Sequence, residues 1–294
     1  MSRVVAADPT PALWLIDKPA GPTSHDVVAG MRRALGRGVR VGHAGTLDPF
    51  ATGLLVVLSG RATRLAAHIT GHDKRYLATI RTGYRSHTGD PEGPITPGGP
   101  PADAGAIADA LASFRGPQRQ RVPAFAAVKV DGERLYAKAR RGETVDAPER
   151  EIVIHSLELV DDLGDGMAQL AVHCSKGTYI RQLAMDIGEA LGCGAHCSAL
   201  RRTHVGELSV AEAIGPDRVR PGGGRDPLCA LGAMPRVDVS DDQLRDIVHG
   251  RSIRAAGEGE LALVHRGCLL ALAHGDGGLV RPHVVFRTPT EVAA

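Results

Sequence analysis

The sequence has few aromatic residues and no long apolar run. One Trp, four Tyr and four Phe among 294 residues leave little aromatic surface for packing, so a ring outside a core pattern calls for a functional explanation. No apolar run reaches the roughly 18 residues that a membrane-spanning helix needs. Residues 1–11 also lack the apolar region of a signal peptide. We therefore expect a cytoplasmic protein with no membrane partner.

The number of cysteines and the net charge are also low. Five cysteines, an odd number, are typical of reduced cytosolic thiols and not of a disulfide framework. The formal net charge of +2 excludes a polycationic coat for nucleic acid but leaves room for a local basic groove. With 43% hydrophobic and 23% charged residues, the composition is that of a globular protein and excludes a mainly disordered chain.

Nucleotide-cofactor and metal motifs are missing as well. No G-x-x-x-x-G-K-S/T phosphate loop is present, and the glycines of segment 45–53 do not match the dinucleotide-binding pattern. Segment 193–197 (CGAHC) brings zinc-ligand residue types close together, but no second Cys/His pair follows at a zinc-site interval. The sequence therefore favours a site that needs neither a cofactor nor a metal.

Hydrophobic periodicity predicts both strands and helices along the chain. Strands are predicted at 12–16, 54–58, 76–81, 167–174, 261–264, 268–273 and 279–286, and helices from Thr23 or Ser24 to Leu35 and at 107–114, 180–191 and 240–249. Segments 38–53 and 91–105 are predicted to be loops. An Arg-, Gly- and Pro-rich stretch at 216–227 is the best linker candidate, ahead of a small β-rich module.

The segment 40–53, with the sequence RVGHAGTLDPFATG, combines glycines with a histidine and an aspartate. Two glycines let the backbone approach a ligand closely, and His43 and Asp48 lie on the loop that these glycines create. Pro49 keeps Asp48 out of helical geometry. The segment indicates either a site loop that presents a carboxylate or a turn before a buried strand, with Asp48 as a turn former.

A second dense segment, 173–181 (HCSKGTYIR), is predicted to turn from a strand into a helix. Lys176, Tyr179 and Arg181 on such a turn suit an anion or a flat ring. The alternative is that Tyr179 is a core ring and Arg181 a solvated charge, although the apolar stripe of the helix is complete without Arg181. Tyr76 follows two bases, as in a base-stacking platform, or is a strand-end ring at the edge of the core.

With these segments in order, the chain resembles the TruB family of bacterial tRNA pseudouridine-55 synthases over roughly its first 210 residues. The blocks that carry the resemblance are 17–24, 40–53, 74–76, 90–93, 136–142, 173–181 and 192–202. The sequence departs from the family pattern at His87, where an acidic residue is common, and at Ala126, where a serine is common. These departures concern local loop contacts and not the chemistry.

The resemblance implies an α+β pseudouridine synthase fold. This fold has a mixed, mainly antiparallel sheet flanked by helices, followed by a small β-rich, PUA-like module. We place the catalytic domain at 1–226 and the PUA-like RNA-binding domain at 227–294. The basic segment at about 123–150 is expected to be a mobile cover that becomes ordered over bound RNA.

The resemblance further implies that the protein isomerises uridine 55 in the T loop of tRNA, with Asp48 as the catalytic aspartate. This reaction breaks the N1–C1′ bond, turns the base and joins C5 to C1′. It needs an ionised carboxylate as nucleophile or base, but no cofactor and no metal. Arg181 is the candidate partner that favours the charged carboxylate. The expected partner is tRNA, bound by a monomer that needs no other protein.

The remaining site residues follow from the same resemblance. Tyr76 stacks on the target base, Tyr179 lies beside the ring as a donor or base, and Leu200 packs beneath it. Since the uridine lies inside a folded loop, it must be flipped out, and His43 is expected to brace the vacated space. Positively charged side chains are expected to position the RNA backbone without reading its sequence; they are Lys18, Arg40, Lys129, Lys176, Arg201 and Arg202.

Three other functions compete with this interpretation. The first is an RNA chaperone that folds tRNA, either beside catalysis or instead of it. The second is a nuclease in which Asp17, Asp48 and Asp90 bind magnesium, so that EDTA would stop its reaction. The third is a guide-RNA-dependent synthase, which is disfavoured because the sequence shows no extra partner-binding extension.

Overall fold

The computed structural model describes residues 10–123, 125, 129–130, 133–134, 141 and 147–287. The chain divides into two compact units. The N/C unit comprises Met1–Asp48, Gly53–Gly71 and Val205–Ala294, and the middle unit comprises Pro49–Thr52 and His72–His204. Most of the predicted RNA cover at 123–150 lies outside the described residues.

The described residues form five α-helices and eighteen strands. The helices are α1 Ser24–Leu35, α2 Ala66–Thr70, α3 Ala104–Leu111, α4 Ile180–Ala190 and α5 Asp241–Val248. The strands are β1 Ala12–Lys18, β2 Val41–His43, β3 Thr52–Ser59, β4 Lys74–Thr82, β5 Tyr84–Ser86, β6 Ile95–Pro97, β7 Gly116–Arg121, β8 Lys129–Val130, β9 Glu133–Arg134, β10 Glu149–Gly164, β11 Met167–Cys174, β12 Ala195–Val205, β13 Leu208–Ser209, β14 Arg236–Asp238, β15 Ile253–Arg254, β16 Gly259–His265, β17 Cys268–Asp276 and β18 Leu279–Val285.

In the N/C unit, β3 pairs antiparallel with both β1 and β2. Leu15 of β1 lies opposite Val56 of β3, and both side chains are buried. The strands predicted at 12–16 and 54–58 are therefore confirmed, and each extends by a residue or more. The predicted loop at 38–53 is wrong over Val41–His43, because these residues add the short strand β2 to β3.

Helix α1 begins where the sequence predicts. Thr23 is the N-cap: its hydroxyl accepts a hydrogen bond from the Asp26 amide (3.1 Å), and the Asp26 carboxylate accepts one from the Thr23 amide (2.9 Å). This capping box pairs two amides that a helix start otherwise leaves without partners. Val27 and Met31 then face the core.

The C-terminal part of the N/C unit is β-rich, as predicted. Its five strands have the order β14-β16-β17-β18-β15, with β14 parallel to β16 and the other pairs antiparallel. Helix α5 begins at the N-cap Ser240, whose side chain forms a second capping box with Gln243. Ile247 of α5 is fully buried in a cluster with Leu263 and Leu270.

A second apolar cluster joins the two ends of the chain within this unit. Leu13 and Leu58, from β1 and β3, share a buried cluster with Leu269 and Phe286 from the C-terminal sheet. The segment 216–227 is hydrogen-bonded to β1, because the amides of Leu13 and Arg225 each donate to the other residue's carbonyl at 2.8 Å. The composition of segment 216–227 suggested a linker, but at Arg225 the segment is paired with β1. The domain boundary at 226/227 stays a prediction.

The sheet of the middle unit has the order β12-β4-β11-β10-β7. The β4–β11, β11–β10 and β10–β7 pairs are antiparallel, and Tyr76 of β4 lies opposite Val172 of β11. Along β11, buried and half-buried residues alternate, which confirms the predicted strand with one buried face.

Helix α4 carries the predicted apolar stripe: Ile180, Leu183 and Ile187 are all buried. A Cβ atom at Gly188 would collide with the backbone of Ala195 at the start of β12. The close approach of α4 to β12 therefore requires glycine at this position.

The observed architecture confirms the predicted fold class, a mixed, mainly antiparallel α+β protein with a β-rich C-terminal region. Among the described residues, no helix has both the length and the apolar character required to cross a bilayer.

Candidate active site

The loop that carries Asp48 connects β2 to β3 and is anchored immediately before the aspartate. The Leu47 amide donates to Ser24 Oγ at 2.8 Å, and the Ser24 hydroxyl donates to the Leu47 carbonyl at 3.0 Å. Ser24 and Leu47 are 2% and 4% exposed. One buried hydroxyl at the start of α1 thus satisfies both backbone groups of Leu47, while the Asp48 side chain next to it is half-buried.

Two further features shape this loop. The Ala44 amide donates to the Val56 carbonyl at 2.9 Å, which continues the pairing with β3. Gly45 then adopts a φ of +108°, a conformation that glycine adopts far more readily than other residues. The turn conformation and the anchored Leu47 support the prediction that 40–53 is a structured loop that presents a carboxylate.

Lys18 closes the turn that leads into α1. It is 0% exposed, and its ammonium group donates to the carbonyls of Pro19 and Pro22, both at 2.8 Å. In this conformation the hydrogen bonds to the two carbonyls compensate for the burial of the ammonium group and stabilise the turn. The predicted phosphate contact of Lys18 stays a prediction.

His43 and Arg40 flank β2. His43 is half-buried and lies opposite Val57 of β3. Arg40 is exposed, and its carbonyl accepts a hydrogen bond from Gly60 at 2.8 Å. Its position is therefore compatible with a contact to a polyanion.

In the middle unit, Arg181 is a buried cation. The side chain lies on the first turn of α4 and the residue is 3% exposed, so it is not a solvated charge. Its guanidinium donates to the Thr88 carbonyl at 2.7 Å and to the Phe125 carbonyl at 3.0 Å. Asp90 Oδ2 lies 3.4 Å from Arg181 Nη1 and provides a counter-charge.

Asp90 is itself buried and fixed, at 4% exposure. Its Oδ1 atom accepts hydrogen bonds from the Thr88 hydroxyl at 2.6 Å and from the Glu92 amide at 3.0 Å. A carboxylate used in this way is poorly suited to bind magnesium, which disfavours the nuclease. The sequence predicted a carboxylate beside Arg181 but named Asp48; that pairing stays a prediction.

Tyr179 is the N-cap of α4, and its backbone is clamped by Gln120 of β7. The Tyr179 amide donates to Gln120 Oε1 at 2.8 Å, and Gln120 Nε2 donates to the Tyr179 carbonyl at 3.0 Å. Gln120 is 2% exposed. The half-buried ring of Tyr179 lies 5.3 Å from Arg150 Cζ, within cation–π range. This ring is therefore held at the sheet edge and is not a core ring.

Tyr76 and Leu200 lie on β4 and β12, two adjacent strands of the middle-unit sheet. Tyr76 is half-buried, whereas Leu200 is 7% exposed. The Leu200 carbonyl accepts a hydrogen bond from the Thr52 hydroxyl at 3.3 Å. A partly exposed ring and a buried aliphatic side chain fit the predicted roles of base stacking and packing.

Lys74, Arg202 and Lys176 form a basic cluster in the middle unit. Burial, together with the nearby Arg202 and Lys176 charges, lowers the pKa of Lys74 to about 8, while the Asp73 carboxylate opposes the shift. The Lys74 ammonium donates to the His72 carbonyl at 2.5 Å. Burial raises the pKa of the neighbouring Cys174 thiol to about 12. This thiol is therefore neutral at pH 7 and supplies no compensating charge.

The other predicted phosphate contacts differ in exposure. Lys176 is exposed and Arg201 is half-buried, whereas Arg202 is 2% exposed. Lys129 begins the short strand β8, and its side chain lies outside the described part of the structure. Within the middle unit, the structure brings Arg202 and Lys176 together around Lys74. From the sequence, Lys74 was expected only to lie beside Tyr76.

Sequence reasoning missed three residues that position the site. Ser24 was considered only as a helix cap, and Asp90 only as part of a family block or a metal ligand. Gln120 was not considered. All three are buried polar residues paired over 20 or more positions of chain, such as Gln120 with Tyr179. Ser24 lies in a capping pattern, whereas Asp90 and Gln120 lie in the polar segments HTGDPEG and GPQRQR, so the local sequence carried no signal of their burial.

The chain is similar to known proteins along most of its length. Residues 32–180 match the TruB family pseudouridylate synthase (N terminal domain), and residues 181–219 match the tRNA pseudouridylate synthase B C-terminal domain. The chain is 41% identical to the tRNA pseudouridine synthase B of Corynebacterium jeikeium (strain K411) over 282 residues, which are 90% of each protein. It is 44% identical to that of Synechococcus sp. (strain WH7803) over 290 residues, 92% of this chain and 96% of the relative.

A solved structure shares the fold. A chain of a Cbf5-Nop10-Gar1 complex superposes with a TM-score of 0.70 at 25% sequence identity, over 95% of this chain and 86% of the other. Together with the family matches, this likeness supports the pseudouridine synthase fold expected from the sequence.

Proposed function

The chain belongs to the TruB family of pseudouridylate synthases, and on this basis we propose that it converts uridine 55 of tRNA into pseudouridine with Asp48 as the catalytic aspartate. The observation that carries the proposal is the anchoring of Leu47 by Ser24, which fixes the backbone beside a half-buried carboxylate. A reacting group held by a rigid scaffold loses little entropy when the substrate binds.

The reaction is an isomerisation and balances without a second substrate. The N1–C1′ bond breaks, the base turns and a C5–C1′ bond forms. The hydrogen on C5 leaves as a proton, and N1 gains a proton. Asp48 supplies the ionised carboxylate that acts on the sugar or on the ring as nucleophile or base.

The side chains of the middle unit prepare the base for this step. The target uridine is stacked inside the folded T loop and must be flipped out. We propose that Tyr76 stacks on the flipped base, that Tyr179 lies beside the ring as donor or base, and that Leu200 packs beneath it. His43 braces the space that the base leaves.

Arg181 acts on Asp48 through its charge, because a nearby guanidinium favours the ionised carboxylate. Its own position is set by the Thr88 carbonyl and by Asp90, both in the middle unit. We therefore propose Asp90 as a positioning residue for Arg181.

The tRNA is held through its phosphates, which position the RNA without specifying its sequence. Arg40 and Lys176 are exposed and are proposed as direct contacts, together with Arg201 and Lys129. We propose that the C-terminal module at 227–294 binds tRNA as a PUA-like domain and that the protein acts without a protein partner. Activity of the purified chain alone would test the latter point.

The decisive experiment is the release of tritium from a tRNA transcript labelled at C5 of uridine, carried out in EDTA after the tRNA has folded. Wild type should release tritium, and Asp48→Asn should release it at least about 10³-fold more slowly. Asp109→Asn, at an exposed position on α3, is the matched control and should keep the wild-type rate. Fluorescence anisotropy with labelled tRNA should show that both variants still bind.

Two outcomes would contradict the proposal. Release by Asp48→Asn at the wild-type rate would exclude a catalytic role for this carboxylate. No release by wild type, with tRNA still bound, would indicate an RNA-binding protein on a synthase fold. If Asp48→Asn still accelerates tRNA folding, a chaperone role exists beside catalysis.

A further inference from the structure

Three side chains that commonly bind metals meet on the sheet of the middle unit. Asp73 immediately precedes β4, His155 lies on β10 and His173 on β11. His155 Nε2 is 3.0 Å from Asp73 Oδ2, and His173 Nε2 is 3.9 Å from the same oxygen. One ligand atom from each of the three residues lies within 4.8 Å of the other two.

A β-bulge brings the two histidines together. Ile154 lies opposite Cys174 and Ser156 opposite His173, so His155 is an extra residue in β10 without a partner in the register. Such a bulge re-aims side chains. As a result, the imidazole rings of His155 and His173 lie with their centroids 4.7 Å apart, although the two residues are not paired in the register of β10 and β11.

The donor set and its spacing fit a divalent transition metal. Two imidazoles and a carboxylate are ligands that Zn²⁺ accepts, at roughly 2.0–2.2 Å from the ion. Two donors on one ion therefore lie at most about 4.4 Å apart, and both Asp73 distances already satisfy this limit. The side chains are 37%, 31% and 45% exposed for His155, His173 and Asp73. They can therefore adjust by a few tenths of an ångström and leave coordination positions open to solvent.

We propose that Asp73, His155 and His173 bind a divalent transition-metal ion, with Zn²⁺ as the probe, and that this ion ties β10, β11 and the start of β4 together. The site is separate from the uridine chemistry. His173 pairs with Arg75 and Val172 pairs with Tyr76, and adjacent residues of a strand point to opposite faces of the sheet. Tyr76 and His173 therefore lie on opposite faces.

The chain offers a matched control in its C-terminal sheet. His274 and His283 flank Glu260 with closest N–O distances of 3.6 and 3.0 Å. Among the described residues, however, only the Asp73 cluster brings three potential ligand atoms within 4.8 Å of one another. Both places thus contain two histidines and a carboxylate, but of the two only the Asp73 cluster has ligand atoms spaced closely enough to bind one metal ion.

The test is a Zn²⁺ titration of the full-length, metal-stripped protein by calorimetry and by thermal unfolding. Wild type should bind one Zn²⁺, and Tm should rise on the order of 5 °C when free Zn²⁺ is about 100-fold above Kd. His155→Gln and Asp73→Asn should each weaken binding at least tenfold and remove the rise in Tm. The double control His274→Gln/His283→Gln should behave like wild type.

Co²⁺ absorption identifies the ligands directly. The spectrum should be that of nitrogen and oxygen ligands and should disappear in His173→Gln. Several results would overturn the proposal: no Zn²⁺-dependent rise in Tm for wild type, unchanged binding in His155→Gln, or a thiolate charge-transfer band, which would assign the metal to cysteine. Equal metal-free Tm values for wild type and Asp73→Asn would show that the variants fold, so loss of binding reports the site.

Discussion

Asp48 and Arg181, the two proposed charges of the active site, are held in opposite ways. The neutral hydroxyl of Ser24 fixes the backbone before Asp48, and the Asp48 carboxylate stays half-exposed. Arg181 is buried, and its guanidinium is surrounded by carbonyls and the Asp90 carboxylate. A group that must react can stay charged in contact with water, whereas a buried charge needs a counter-charge and hydrogen bonds to be tolerated.

The largest expected effect comes from removing the counter-charge. Asp90→Asn keeps the shape of the side chain but leaves Arg181 without its carboxylate, so the free energy of unfolding should fall by about 3–5 kcal/mol. Urea unfolding measures this change. Glu149→Gln is the control, since the Arg119–Glu149 pair is mostly exposed and should contribute less than about 1 kcal/mol. Equal small losses in both variants would show that burial does not distinguish the two pairs.

An intermediate effect is expected at Ser24. Ser24→Ala leaves the buried amide and carbonyl of Leu47 without their partner, so stability should fall by about 1–3 kcal/mol. Because the backbone beside Asp48 loosens, the rate of tritium release should fall by about 10- to 100-fold. Ser113→Ala removes an exposed hydroxyl that donates to Ala110 at 2.8 Å and should change neither quantity. A stable Ser24→Ala enzyme with full activity would contradict the anchoring role.

The smallest effect is expected at Lys74, a buried cation that can be compared with the buried Arg181. Lys74 lies beside positive charges, and its pKa is lowered to about 8 from 10.5. The unfolded chain therefore binds more protons than the folded chain between these values, and wild-type stability should rise with pH over this window. At pH 7, Lys74→Met should be more stable by about 1 kcal/mol, since relief of desolvation exceeds the lost hydrogen bond to His72.

Thermal unfolding of both proteins in EDTA at several pH values tests this sign. The advantage of Lys74→Met should shrink above pH 8 and vanish by about pH 9–10, because wild-type Lys74 is then neutral in the folded state. Arg37→Met, at an exposed position whose charge does not act on Lys74, should differ from wild type by the same amount at every pH. A Lys74→Met advantage that is constant from pH 7 to 10 would show that Lys74 is not the titrating group.

Much of the fold could be predicted because regular periodicity reports burial directly. The alternation of β11 and the stripe of α4 were both read correctly. Strand β10 was missed because three register irregularities interrupt its alternation and its last residues are exposed. Strand β12 was missed because Cys, His and Arg fill a strand whose position is set by its neighbours.

The site was predictable to the extent that one local segment carries it. The loop of Asp48 was located because its glycines, histidine and proline stand together in the sequence. The surroundings of Arg181 were not, since Asp90 and Thr88 lie about 90 residues away. For Lys18 and Arg202, the sequence indicated charge but could not indicate burial.

The sequence by itself determined the capped start of α1, the alternating strands and the Asp48 loop, because each depends on residues within one turn or one strand, and its family resemblance implied the α+β class. Only the tertiary structure decided which polar groups share a partner: Ser24 with Leu47, Asp90 with Arg181, and His155 with His173. The physical reason is that hydrogen bonds and ion pairs require atoms within a few ångströms. Such distances arise only when distant strands are placed in register, and in the case of His155 when a bulge shifts that register by one residue.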